Sequence, residues 1–171
     1  MNLPKFLEEK KLFFLGIFIA FLVAFFDLLT KRITFAILEN IAFEQVTKHP
    51  EIKVTSFFSI AYVWNHGISF GMFNNLENSQ IIFCLVQLII ALILSFWLYN
   101  NKKIHIACAI GFIIGGAFGN LIDRARYGAV ADFLDFHIAS YHWPAFNLAD
   151  SFVFIGVMIL LLEDFVFKNQ K

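Results

Sequence analysis

The sequence predicts an α-helical membrane protein with four transmembrane helices and a small extracytoplasmic β-hairpin or sheet lying on the membrane surface. Three observations carry that prediction. Of 171 residues, 60% are hydrophobic and 15% charged, with a mean hydropathy of +0.74, whereas a soluble domain holds about a quarter charged residues. Apolar stretches of the length that crosses a bilayer, roughly 17–25 residues, recur at about 12–33, 79–99, 104–123 and 148–167. Between the first two, Val54, Phe58, Ile60, Tyr62 and Trp64 alternate with Thr55, Ser59 and Ala61, the period of a strand with one buried face.

The first apolar run follows Lys5, Lys10 and Lys11, as in a secretory signal. It ends Ala24-Phe25-Phe26-Asp27, without a small-x-small cleavage site, and reads as a retained span. After the strand, Asn65-His66-Gly67 supplies a turn and Ile68–Phe73 a returning strand. The second span has one interior polar residue, Gln87, and joins the third through only Asn100-Asn101-Lys102-Lys103, which makes an antiparallel helical hairpin. The third carries Gly111, Gly115 and Gly119 every four residues, with Gly116 beside them; such a stripe lets a second helix approach closely in lipid. The fourth is the shortest, closed by Glu163 and Asp164. The whole chain, 1–171, reads as a single integral membrane domain.

Four spans put the long segments 34–78 and 124–147 on one side of the membrane. Lys5, Lys10, Lys11, Lys102, Lys103, Lys168 and Lys171 lie in the short segments on the other side, against Lys31, Arg32, Lys48, Lys53, Arg124 and Arg126 in or beside the long ones. The totals nearly tie, but density in short loops is what orients a chain, so both termini are expected to be cytoplasmic. Thirteen basic residues balance thirteen acidic ones, so no field draws in nucleic acid. Cys84 and Cys108 lie within apolar runs and read as inert packing groups.

Carboxylates in this setting carry the chemistry. Asp27 ends the first span, Asp123 ends the third and Asp150 opens the fourth, so all three reach the same membrane face. Ionisable groups at membrane depth are expensive and read as functional. Asn120, Asp123 and Arg124 continue the glycine stripe, which as a packing seam ends equally well in a structural ion pair. Asp132 and Asp135 interrupt the apolar segment Val130–Phe136, and Asn147, three residues before Asp150, is placed to cap the fourth helix.

Asp27-x-x-x-Lys31, Asn65-x-Gly67, Gly115-Gly116-Ala117-x-Gly119-Asn120-x-x-Asp123-Arg124, Val130-x-Asp132-Phe133 and Phe146-Asn147-x-Ala149-Asp150 occur in this order. Together they resemble the lipoprotein signal peptidase family (signal peptidase II) of bacteria, over nearly the whole chain. Ile68 departs from the family, which more often has a small residue there. The resemblance implies an intramembrane aspartic endopeptidase in the bacterial cytoplasmic (inner) membrane, with its site toward the outer face. Such enzymes remove the signal peptide of diacylglyceryl-modified prolipoproteins, cutting before the lipidated cysteine. It implies a catalytic pair, Asp132 and Asp150, and supporting or substrate-binding residues Asp27, Lys31, Asn65, Gly67, Asn120, Asp123, Arg124, Asn147 and Ala149. It also implies a monomer whose partners are those substrates and membrane lipids, with no cofactor. Two carboxyls in one pocket do not both ionise cheaply, so one holds a proton at neutral pH, while Arg124 and Lys31 are positioned to keep Asp123 and Asp27 ionised.

Other readings fit parts of the pattern. A small ion-coupled transporter also uses an aspartate relay, although the four spans show no inverted repeat or paired broken helices. A structural assembly subunit would use the glycine stripe but leaves the Asn and Asp cluster without a role. Asp123 is an alternative to Asp132 as partner of Asp150. Asp132, Asp135, His137 and His142 are close in sequence, but their spacing matches no common ligand motif and no metal site is expected.

Overall fold

The computed structural model describes residues 10–45, 50–67 and 79–166. Four helices carry the apolar runs: α1 (Lys11–Gln45), α2 (Ser79–Asn100), α3 (Ile104–Tyr127) and α4 (Leu148–Val166). Among the described residues, α1, Gln80–Asn100 of α2 and α3 are each long and apolar enough to cross a membrane. At 1.5 Å per residue, the 19 residues of α4 extend about 28 Å. The segment Ile68–Phe73, expected as a returning strand, lies outside the described residues.

Helix α3 is the core, packing against α1, α2 and α4. Two-thirds of its apolar window is buried, against 22% for α1 and 11% for α2, so the outer helices turn Phe18, Phe21, Ile93 and Phe96 outward as a surface suited to lipid. The glycine stripe explains the close packing. A Cβ at Gly115 would lie 2.5 Å from the Ala20 carbonyl oxygen, and one at Gly111 would lie 2.7 Å from that of Gly16. Gly116 meets the other neighbour: a Cβ there would lie 2.5 Å from the Ala149 carbonyl. Helix α3 ends at Gly128, whose φ of 67° and N–H to the Arg124 carbonyl (3.0 Å) form a left-handed cap.

A four-stranded antiparallel sheet, β1 (Glu51–Lys53), β2 (Phe58–Asn65), β3 (Val130–Ile138) and β4 (Tyr141–His142), runs in that spatial order. The strand expected at Val54–Trp64 is present only from Phe58, as β2, while residues 54–57 turn the chain from β1 into it; its described partners are β1 and β3. The sheet is therefore assembled from both long segments. Strand β3 escaped the sequence pattern because Val130–Phe133 is buried on both faces and shows no alternation. The register shift between Ile60 and Val63 marks a bulge in β2, which turns Asn65 toward Asp132.

Helix α1 outlasts its apolar run, continuing past residue 33 to Gln45, because its last turns bury Phe35 and Leu38. The Phe35 ring lies 4.3 Å from Tyr62 and 5.1 Å from Trp64 between centroids, and joins Ala131 and Phe133 in a second small core. That contact anchors the sheet to the helical bundle.

Candidate active site

The middle of α1, the end of α3, the start of α4 and two strands deliver a buried polar network. Lys31, 4% exposed, is its cation. Its Nζ lies 2.7 Å from Asp27 Oδ2 and 2.9 Å from Asp123 Oδ2, and donates to Asn120 Oδ1 at 2.9 Å. Asp27 in turn accepts the Ala149 backbone N–H at 2.8 Å, fixing the start of α4 against α1. Asp27 fits only because Gly119 faces it, since a Cβ there would collide with its carboxylate.

The expected pairing of Arg124 with Asp123 is corrected. Adjacent residues on a helix point in different directions, and Asp123 turns inward to Lys31. Its Oδ2 also accepts the Ala131 N–H at 3.3 Å, tying α3 to β3. Arg124 instead reaches Gln87 Oε1 at 3.4 Å and lies 5.7 Å from the Phe83 ring centroid. Gln87, the interior polar residue singled out in the second span, is thereby accounted for.

Asp132 and Asp150 come together around Asn147. Its side-chain Nδ2 donates to Asp132 Oδ1 at 2.7 Å and to Asn120 Oδ1 at 3.0 Å, while its backbone N–H donates to Asp150 Oδ2 at 3.2 Å. Asn147 Oδ1 accepts the Asp150 N–H at 3.0 Å, completing a reciprocal capping box at the start of α4. The cap and the link between carboxyls are one residue. Asn120 Nδ2 donates to Asp150 Oδ1 at 2.8 Å, and Asn65 Nδ2 donates to Asp132 Oδ2 at 3.0 Å. The Asn65 amide is oriented by its Oδ1, which accepts the Gly67 N–H at 3.0 Å.

This meeting follows from β3. Phe146 exchanges backbone hydrogen bonds with Leu134, its N–H donating at 3.2 Å and its carbonyl accepting at 2.9 Å. The chain therefore runs back along β3 before α4 and sets Asn147 beside Asp132. Asp132 is 1% exposed. Burial, and then the neighbouring Asp150 carboxylate, push its carboxyl up from 3.8 to about 7, with the amides of Asn65 and Asn147 opposing the rise. An open cavity of about 420 Å³ lies beside Asp150, lined by Trp143, Pro144, Phe146, Val153, Phe154 and Val157.

Asp135 and His137 lie on the other face of β3, since residues an odd number of positions apart alternate across a strand. They close up with His142, because β4 folds back. The spacing that matched no ligand motif thus becomes a three-residue cluster, without Asp132.

The fold and site define a helical membrane protein with two coupled carboxyl groups where a bundle meets a small sheet. A family model described as signal peptidase (SPase) II matches residues 19–166. The chain is 43% identical over 122 residues to a lipoprotein signal peptidase of Anaplasma phagocytophilum (strain HZ), covering 71% of this chain and 78% of that one. It is 39% identical over 158 residues to one of Francisella tularensis subsp. novicida (strain U112), covering 90% and 92%. A solved bacterial membrane enzyme, determined by the in meso method at 2.3 Å, superposes with a TM-score of 0.70 at 30% identity, covering 91% of each chain. The chain belongs to the signal peptidase II family, the family its motifs resemble, and nothing in these similarities supports a transporter.

Proposed function

We propose that the chain is an intramembrane aspartic endopeptidase that removes signal peptides from diacylglyceryl-modified prolipoproteins, cutting before the lipidated cysteine. The observation that carries the proposal is Asn147, hydrogen-bonded at once to Asp132 and Asp150. It holds two carboxyls in one pocket, the arrangement in which one keeps a proton and the other does not.

The proton rests on Asp132, whose carboxyl is pushed up to about 7. Asp150 takes a proton from water as the water oxygen attacks the scissile carbonyl, and Asp132 gives its proton to the developing oxyanion. Collapse of the resulting diol breaks the C–N bond. Asp150 then hands its proton to the leaving amine, and the diol returns one to Asp132. Asp123 is committed to Lys31 and the β3 backbone, which favours a supporting role for it and Asp132 as the partner of Asp150. Lys31, Asp27, Asn120, Asn65 and Asn147 position the pair. The cavity beside Asp150 suits an apolar stretch of substrate, with the acyl chains remaining in lipid. Both termini are cytoplasmic in this reading and the carboxyls lie at the outer leaflet. One polypeptide carries the whole site, which suits a monomeric enzyme.

The test is cleavage of a lipidated prolipoprotein by purified wild type, Asp132→Asn and Asp150→Asn. Both variants are expected to accumulate in the membrane and to lose processing. Full cleavage by either refutes the two-carboxyl mechanism.

A further inference from the structure

We infer that Asp135, His137 and His142 form a site for one divalent transition-metal cation of the zinc type, which clamps β4 to β3. The pleat builds it. Asp135 and His137 are two apart on β3 and share a face, and His142 is the direct cross-strand partner of His137, so its side chain emerges on that face as well. A tight turn after Ile138, with Ala139 at a φ of 53°, returns the chain to make this pairing.

The three side chains offer one ligand atom each, all within 4.8 Å of one another. His142 Nδ1 lies 2.8 Å from Asp135 Oδ2, and His137 Nδ1 lies 3.6 Å from the same oxygen. Ligands on a tetrahedral zinc with bonds of about 2.0–2.2 Å sit roughly 3.3–3.6 Å apart, so small rotations of the two rings open the space. The rings already stack at 4.9 Å between centroids.

Partnerless polar atoms gather at this point. His137 Nδ1 is buried without a hydrogen bond, and so is Oγ of Ser59, the fully buried residue directly across from Asp135. An imidazole nitrogen left without a donor or acceptor beside a carboxylate is an incomplete arrangement, and a cation completes it. Two imidazoles and one carboxylate are a donor set favoured by zinc, with a fourth position left for water. His142 is half exposed and gives the ion a way in. The cluster faces away from Asp132, so its role is to hold the strand that carries Asp132, not to join hydrolysis.

The experiment is calorimetric titration of Zn²⁺ into the tag-free, chelator-stripped full chain in detergent micelles, beside thermal unfolding with and without zinc. Wild type and His105→Gln are expected to bind one Zn²⁺ and to melt higher with it, by mass action. His142→Ala and His137→Gln are expected to fold with nearly the wild-type midpoint without metal, to bind at least tenfold more weakly, and to lose the zinc-dependent rise. Absence of a stoichiometric site in wild type overturns the inference, as does unchanged binding in both His variants. Co²⁺ absorption is the second readout: a tetrahedral spectrum in wild type that vanishes in His142→Ala supports the site, and a six-coordinate aqueous spectrum in wild type refutes it.

Discussion

Replacing Lys31 with Met keeps the length of the side chain and removes its charge. Lys31 is 4% exposed and stands between two carboxylates that are themselves buried, Asp27 and Asp123. Removing one member of a buried ion pair costs about 3–5 kcal/mol, because the other charge stays behind without a partner. Here two carboxylates and Asn120 Oδ1 lose it together, so the upper part of that range applies. For a chain of this size each kcal/mol lowers the midpoint by about 2–4 °C, so Lys31→Met should melt roughly 8–20 °C below wild type. The assay is thermal unfolding in detergent followed with a thiol-reactive dye, reading the half-buried Cys84 and Cys108. Adding Asp123→Asn neutralises one abandoned charge and should recover part of the loss. Arg124→Met, which loses two hydrogen bonds at 3.4 Å and a position over the Phe83 ring but leaves no carboxylate without its ion-pair partner, should cost less than Lys31→Met. A midpoint for Lys31→Met within about 2 °C of wild type would refute the account of Lys31 as the keystone of the network.

Because the Asp132 carboxyl is raised from 3.8 to about 7, cleavage should fall as pH climbs through about 7, where the donor proton is lost; a rate flat to well above that pH refutes the assignment. The same rise means the folded state holds that proton more tightly than the unfolded chain. Its stabilisation is present below pH 3.8 and lost as pH rises through about 7, so the midpoint of Asp132→Asn should gain on wild type over that window. Gly119→Ala sets a methyl group against the Asp27 carboxylate and should cost about 1–3 kcal/mol by overpacking while pulling Asp27 from the Ala149 N–H. An unchanged midpoint for this variant would show that α1 and α3 are not packed as described.

The gathering of Asp27, Asp123 and Asp150 in one network was legible because hydropathy alone counts apolar runs, and their parity sets which ends meet. Strand β2 was legible because aromatic and β-branched residues alternate with small ones along it, although its burial does not follow that alternation: Ser59 is buried and Val63 exposed. Strand β3 was not: its inner half is buried on both faces, and its partner β2 lies in the other long segment. The capping role of Asn147 could be read from its place three residues before Asp150, but its second bond, to Asp132, needs the chain to double back along β3.

The sequence by itself therefore determined the membrane class, the helices, the family and the residues from which the site is built, since each rests on local composition or on motifs in order. Only the tertiary structure decided who pairs with whom. Lys31 and not Arg124 neutralises Asp123, because helix geometry turns neighbours in sequence apart and brings residues of different helices together. Asp135 separates from Asp132 and joins His137 and His142 for the corresponding reason in a strand: the pleat sends alternate side chains to opposite faces, and the hairpin return chooses what each one meets.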